Sequence, residues 1–522
     1  MLLGIDYGTT RTVVAAADRG NYPVVSFHDE HDNPQGWFPS LIAYESDGSK
    51  RAYGFEAQIQ RHDSRWSVIH SFKRQLATLG PESPVDVGAD SLSALQVLTE
   101  LLSQLHQDLF DRSNLRLSPH EPLEVMVSVP ANANSNQRYL TLEAFRLAGF
   151  QVRGSLNEPS AAGVEYAHRY RTAARGSTSH EHVAVYDLGG GTFDASVIKM
   201  LDHHHEVLSS DGIGWLGGDD FDQILLELAL ERAGIVNLAP EARLSLLEEC
   251  REKKEGLHPN TRKVAIDFGR ALPGEGEVIV STNNFYERCR PLVERTIEAT
   301  EQALAGASVL NRRSVTAIYM VGGSSDLPIV ARTLREHYGK QVRRSPYPHA
   351  ATAMGAAIAA DAEAGYQIRE HFTRHFGVWR ETDCGIGVSL DVIFPKETAL
   401  PTNGEKLRRI RRYHATHNLG HFRFVECSKV DERGQPKGDI TLWDELHFPF
   451  APELEQETQL AHIPVRRTSM RDELIEEIYS CDAHGIIEVK IINHATRHQR
   501  ISLLHPVGME QTTPARILEP AS

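Results

Sequence analysis

The stretch Val183 to Ile198, V-A-V-Y-D-L-G-G-G-T-F-D-A-S-V-I, holds the residue types whose spacing most directly implies chemistry. Apolar positions at Val183, Val185 and Leu188, and again at Phe193, Ala195 and Val197, follow the pattern of buried strands. Gly189, Gly190 and Gly191 interrupt the run, so the spacing predicts a tight β-hairpin. Three successive residues without Cβ let such a turn take positive φ and direct several backbone N–H groups onto one small anion, a phosphate cradle that needs no lysine-tipped loop. Asp187 stands at its entrance and Thr192 at its exit. A carboxylate beside a phosphate repels it unless a divalent cation lies between them, so Asp187 implies Mg²⁺. Taken alone, the stretch reads equally well as an ordinary glycine-rich surface hairpin.

The first residues repeat the pattern. In Leu2 to Val14, Asp6 is followed by Gly8 and Thr9 as Asp187 is followed by the three glycines and Thr192. Two such hairpins imply two similar half-domains facing one nucleotide. A Walker loop would instead read G-x-x-x-x-G-K-[ST] and lead into a helix. Lys73, in S-F-K-R-Q-L, and Glu158, in L-N-E-P-S-A-A-G, are further candidates. A lone lysine in a mixed segment is ordinarily a solvated charge, and Glu158 before Pro159 also reads as a plain helix start. Gly322-Gly323-Ser324, between a strand-like run and a helix, forms an anion site of the usual kind. The aspartates of Trp215 to Asp222 complement a helix dipole, and Lys253 and Lys254 fall on a charged helix. His203, His204 and His205 are adjacent, so they cannot share one face of a strand or helix and do not read as a metal site.

The elements that must position these groups are legible from periodicity. Leu92 to Phe110 and Gln137 to Gly149 read as amphipathic helices, Glu124 to Pro130 as a short strand, and Ala350 to Ala364 as a helix of small side chains. Beyond a boundary near Gly365 to Phe372 the period becomes alternating, as in His421 to Val425 and Ile486 to Ile492. The 522 residues amount to roughly three or four domain-sized units. No apolar run spans a bilayer and no secretory leader precedes Asp6, which predicts a cytoplasmic protein without a membrane partner. Five scattered cysteines read as buried free thiols, and a net charge of -15 argues against nucleic acid as a partner.

Gly4 to Thr10, Asn157 to Gly163, Tyr186 to Asp194, Leu216 to Asp222 and Val321 to Pro328 together resemble, in order and spacing, the seventy-kilodalton heat-shock chaperones, the DnaK-like family. The resemblance implies an α/β actin-like two-lobed ATPase domain over 1–365, a linker over 366–372, a mostly β-sandwich substrate-binding-like domain over 373–505 and a short tail over 506–522. The cofactors it implies are ATP/ADP and Mg²⁺. Gly8, Thr9, Thr10 and Arg11 would hold phosphate from one lobe, and Gly189, Gly190, Gly191 and Thr192 from the other. Gly218, Lys254, Gly322, Gly323 and Ser324 would complete the nucleotide contacts. Asp6 and Asp187 would hold Mg²⁺ through water. Lys73 stands where the family places its catalytic lysine, and Glu158 would order the attacking water or the metal shell. Asp187 and Thr192 join the catalytic set, and Arg138 with Pro159 would relay between nucleotide site and substrate domain. Such hydrolysis needs in-line water, Mg²⁺ and a positive donor on the developing charge.

The sequence departs from the family at Asp326, where it has a basic residue, at His258, where it has a serine, and at His349, where it has an acid. These changes bear on adenine rather than on phosphate. The leucine-rich linker is replaced by Tyr366-Gln367-Ile368-Arg369-Glu370-His371-Phe372, and no helical lid is expected after Leu504, so substrate exchange should be fast. Lys406 to Arg412, K-L-R-R-I-R-R, is either a solvated strand face or a cleft that favours acidic segments. The expected function is ATP hydrolysis coupled to polypeptide binding, with a J-domain co-chaperone and a nucleotide exchange factor as implied partners. The alternative is a nucleotide-dependent scaffold or regulator of one dedicated protein with little hydrolysis. A kinase on the same fold would not need the appended β-domain.

Overall fold

The computed structural model describes residues 1–504 except 62, 64, 172–180, 270, 273, 309–314, 383–386, 402–404 and 469–472. Cys384 and the expected tail, 506–522, lie outside the described residues. Two large mixed sheets share one plan. In the first, β1 (Leu2–Tyr7) runs antiparallel to β2 (Arg11–Ala16), which pairs with the short β3 (Phe38–Pro39). On its other side β1 pairs in parallel with β4 (Glu124–Val129), and β4 with β5 (Gln151–Asn157). In the second, β6 (Glu181–Leu188) is antiparallel to β7 (Phe193–Leu201), which pairs with β8 (His204–Ile213). There β6 is parallel to β9 (Ala317–Val321), and β9 to β10 (Val342–Arg344). The repeat anticipated from Asp6 and Asp187 is thus a repeat of hairpin, central strand and parallel neighbours.

Each sheet is covered by helices whose apolar stripes close a core. Over the first lie α1 (Ala94–Asp111) and α2 (Ser135–Leu147), with Leu98, Leu101, Leu105 and Leu109 of α1 buried in the cluster that holds Leu3 and Ile5. Over the second lie α4 (Gly218–Ala233), α5 (Pro240–Glu255), α6 (Thr282–Gly306) and α7 (Pro328–Tyr338). Between the sheets, α3 (Glu158–Arg171) crosses α8 (Ala351–Ala360). A Cβ at Gly355 would lie 1.7 Å from the Ala161 carbonyl oxygen, so only glycine allows this approach.

The chain after Gly365 does not leave the second sheet at once. Gln367–Arg369, β11, pairs in parallel with His204–Glu206 of β8. Two facing four-stranded sheets then follow. The first has the order β13 (Gly387–Phe394), β12 (His375–Thr382), β15 (Leu419–Val430), β16 (Pro436–Pro449). The second has the order β14 (Leu407–His414), β17 (Leu474–Cys481), β18 (Ile487–Asn493), β19 (Gln499–Leu503). Phe376, Phe424, Trp443, Tyr479 and Val489 fill the interior. Glu477 is buried there and accepts from the two terminal guanidinium nitrogens of Arg380, at 2.8 and 2.5 Å.

Lys406 to Arg412 lies along edge strand β14 and the residue before it, where half-buried and exposed side chains alternate. Arg411 is taken up by Asp391 at 2.8 Å, and Arg412 by Glu476. Cys250, Cys289, Cys427 and Cys481 are buried free thiols. Among the described residues no helix is long and apolar enough to cross a membrane.

Candidate functional site

The two hairpin turns meet at a cavity of about 940 Å³ lined from both sheets. Gly8, Thr9, Thr10 and Arg11 line it from the β1–β2 turn, and Gly189, Gly190 and Thr192 from the β6–β7 turn. The reason for glycine in the second turn differs from the expectation. None of Gly189, Gly190 and Gly191 has positive φ. What excludes a side chain is proximity: a Cβ at Gly191 would lie 2.7 Å from Arg74 Cδ and 2.8 Å from Thr9 Cγ2. Gly191 is therefore the buried floor where the two turns touch, and it does not line the cavity itself. The N–H of Gly189 closes the turn on the Thr192 carbonyl, and the Gly189 and Gly190 carbonyls accept from the N–H groups of Gly218 and Asp219, docking α4 on the turn. Among the described residues the N–H groups of Gly190, Gly191 and Thr192 donate to no protein acceptor.

Behind the turns sits an ionised cluster. Lys73 projects from a single helical turn, Phe72–Gln75, and its Nζ lies 2.6 Å from Glu158 Oε1 at the start of α3, both side chains nearly inaccessible. Asp6 accepts from Ser128 Oγ at 2.8 Å. Asp187 and Asp194 are cross-strand partners in the β6–β7 pair, and Asp194 accepts from the Asn132 N–H and Nδ2, both at 3.2 Å. Burial alone would lower the Lys73 pKa, but the charges of Glu158, Asp6 and Asp187 outweigh it and hold the ammonium above its ordinary value. Burial raises Glu158 to about 7 against the opposing pull of Lys73, and raises Asp194 to about 6. Asp187 lies well above the ordinary carboxylate range, first through burial and then through Glu158, Asp6 and Asp194. One ammonium thus faces four carboxylates, an all-oxygen site with excess negative charge that suits a hard divalent cation.

The remaining sequence candidates fall into three places. Gly218, Lys254, Gly322, Gly323 and Ser324 line the same cavity. Lys254 Nζ donates to the Gly218 carbonyl at 2.8 Å and pairs with Asp222 at 2.6 Å. Gly322 has φ +82°, and a Cβ there would meet Asp187 Oδ1 at 2.5 Å. Asp326, His258 and His349 line the cavity with Tyr286 and Arg332, and Asp326 pairs with Arg344 at 2.5 Å. Arg138 and Pro159 are not on the cavity wall. Arg138 donates to Asn157 Oδ1 at 2.9 Å, and Asn157 in turn donates its N–H and Nδ2 to Glu370 from the segment after β11. Pro159 follows Glu158 in the first turn of α3. His203 and His204 are exposed while His205 is buried, and among the described residues no cluster of His, Cys, Asp and Glu suits direct metal ligation.

Asp194, Ser128 and Asn132 were not singled out from the sequence. The signal for Asp194 was present: with Phe193, Ala195 and Val197 on one face of β7, Asp194 must occupy the other, beside Asp187. Across the molecule, Glu426 of β15 accepts from the Ser135 N–H at 3.1 Å and Oγ at 2.7 Å in the first turn of α2, and Thr441 of β16 accepts from Asn134 Nδ2 at 3.4 Å. The β-rich part is therefore docked on the first sheet's helix layer.

A model of a protein family described as Hsp70 protein matches residues 81–373. A protein named Chaperone protein HscA homolog from Burkholderia multivorans is 33% identical over 384 residues, covering 70% of this chain and 59% of that protein. A protein of the same name from Azoarcus sp. is 32% identical over 398 residues, covering 71% and 59% respectively. The chain thus matches about three fifths of the length of these curated relatives.

Proposed function

This chain belongs to the Hsp70 family, and on that premise we propose that residues 1–365 form an actin-like two-lobed ATPase whose nucleotide state controls polypeptide binding by the β-sandwich of residues 373–505. The observation that carries the reading is the buried Lys73–Glu158 pair, set among Asp6, Asp187 and Asp194 at the junction of two equivalent hairpin turns. The free N–H groups of Gly190 and Thr192, with those of the Gly8 to Arg11 turn, bind the phosphates of ATP. Gly218, Lys254 and Gly322 to Ser324 line the nucleoside side. Asp6 and Asp187 hold Mg²⁺ through water, and when bound the ion neutralises charge on the phosphates. Glu158 orients water, and Lys73 holds positive charge beside the γ-phosphoryl oxygens, so that little covalent work falls to the protein. Thr192 closes the cradle, and Asp194 stands opposite Asp187 on the neighbouring strand.

Coupling to the β-sandwich runs through Pro159, Asn157, Arg138 and Glu370, which are joined by sequence and hydrogen bonds behind Glu158. The linker places a half-buried carboxylate, Glu370, there. A polypeptide client, a J-domain co-chaperone and an exchange factor acting in the cytoplasm complete the proposal. ATP turnover measured with a panel of unfolded peptides tests it: stimulation by many of them is expected. Response to a single protein partner and to no peptide would replace the chaperone reading by that of a dedicated regulator.

A further inference from the structure

Lys73 is carried by a single helical turn, Phe72–Gln75, too short to hold its own shape. Its support comes from both sides of the cavity. Phe72 is buried in the core of the first sheet, and α2 grips the later part of the turn: Gln137 Nε2 donates to the Lys73 carbonyl at 3.3 Å, and Asn136 Nδ2 to the Leu76 carbonyl at 2.9 Å. The start of the turn is held differently. Ser71, which precedes it, has φ 54° and ψ 35°, the left-handed region that a residue with a side chain rarely adopts and keeps only where its neighbours over-determine it. Its hydroxyl does not cap the turn. Instead Ser71 Oγ donates to Asp219 Oδ2 at 2.6 Å, in the first turn of α4 over the second sheet.

Asp219 is anchored on its own side of the cavity. Its N–H donates to the Gly190 carbonyl at 2.8 Å, and Arg251 of α5 donates to its Oδ1 at 3.0 Å. Arg74, the residue after Lys73, reaches Oδ2 at 3.3 Å. The carboxylate thus accepts from three side chains, and two of them, Ser71 and Arg74, bracket Lys73 on the opposite side. We propose that Asp219 is a positioning residue for hydrolysis: reaching across the cavity from α4, it holds Ser71 in its strained conformation and so fixes the turn that aims Lys73, which puts Lys73 in place only while the two sides are closed. The inference rests on the proposal that Lys73 acts in ATP hydrolysis. Separation of the sides breaks the Ser71 and Arg74 contacts together, and the turn relaxes at Ser71. The amides of the β6–β7 turn keep their geometry, because α4 is docked on that turn through Gly218 and Asp219 and moves with it. Loss of the contact should therefore be felt in the chemical step rather than in nucleotide binding.

The test measures single-turnover hydrolysis of ATP in Mg²⁺, and the Kd for ATP, on the full chain. Asp219→Ala is expected to slow hydrolysis about ten- to a hundredfold, as small misplacement of a reacting group does, with Kd changed by less than about threefold. Ser71→Ala, which leaves the ion pairs of Asp219 in place, is expected to show the same split. Added to Asp219→Ala, it should cost less than about twofold more, because the hydroxyl it removes has already lost its acceptor. Ser71→Gly, which takes this backbone conformation without strain, is expected to recover hydrolysis by about threefold or more in the Asp219→Ala background. Hydrolysis within about twofold of the parent in either single variant, a loss confined to Kd, or no recovery with Ser71→Gly overturns the assignment while the parent's ATPase activity stands. Absence of hydrolysis by the parent itself overturns the reading of Lys73 as well.

Discussion

Replacing Lys73 by alanine removes one ammonium from a pocket that keeps Asp6, Glu158, Asp187 and Asp194. Glu158 loses a partner at 2.6 Å that is as buried as itself. Breaking one half of a buried pair costs about 3–5 kcal/mol, because the surviving charge stays desolvated. Here the carboxylate can escape part of that cost by taking up a proton, since burial already raises Glu158 to about 7 with Lys73 opposing the rise. The variant should therefore be destabilised by a few kcal/mol, near the lower end of that range, with Glu158 neutral at pH 7. Loss of a preorganised donor on developing charge should slow ATP hydrolysis by about 10²–10³-fold, with nucleotide still bound through the turn amides. The two effects separate in Lys73→Ala/Glu158→Gln, which removes the orphaned charge: thermal stability should recover relative to Lys73→Ala, while single-turnover hydrolysis should not. Turnover of Lys73→Ala within twofold of the parent, or a double variant no more stable than the single one, would refute the reasoning.

Three further expectations follow from the same geometry. Glu158, Asp187 and Asp194 all sit above their ordinary carboxylate values, so the metal-free folded state binds more protons than the unfolded state between about pH 4 and about 7. That contribution is complete below the unfolded pKa values and is lost as pH rises through the folded ones; thermal unfolding without Mg²⁺ should weaken from pH 5 to 7.5, and the gain on adding Mg²⁺ should grow over the same range. A gain independent of pH would count against the carboxylate cluster as the cation site. Glu426→Ala removes two charge-assisted bonds at the first turn of α2, worth about 1.5–3 kcal/mol together with the buried acceptor, and should loosen the docked β-sandwich about tenfold or more, seen as faster amide exchange at Asn134 to Gln137. Unchanged exchange would mean that docking does not depend on this contact. Gly322→Ala combines a φ of +82° with a Cβ 2.4 Å from the Leu188 carbonyl oxygen and 2.5 Å from Asp187 Oδ1, so nucleotide affinity should fall at least tenfold in a direct titration; parental affinity would show that the end of β6 and this carboxylate can shift at no cost.

Periodicity and turn residues make the two hairpins, the leucine stripe of Ala94–Asp111 and the change to alternating strands after Gly365 legible in the sequence. What they could not convey was distance between segments far apart in sequence. Lys73 and Glu158 are 85 residues apart and meet only because α3 starts where β5 ends, beside the turn that carries Lys73. Gly191 was identified correctly as a place for glycine but for a conformational reason, whereas contact with Thr9 of the other hairpin is what excludes a side chain. Asp194 lies on the polar face of a strand whose apolar alternation carries the sequence signal, so its place beside Asp187 depends on the pairing of β6 with β7. The basic run at Lys406 to Arg412 reads either as a solvated strand face or as a cleft, because its pairing with Asp391 and Glu476 depends on strands whose neighbours no local pattern discloses.

The most direct test of two hairpins acting on one nucleotide is single-turnover conversion of ATP to ADP and phosphate by the intact chain in Mg²⁺, alongside Asp187→Asn and Asp6→Asn. Hydrolysis that requires Mg²⁺ and is lost in both variants, one from each hairpin, is the expected result. ATP bound without hydrolysis, or hydrolysis indifferent to either aspartate, would contradict it.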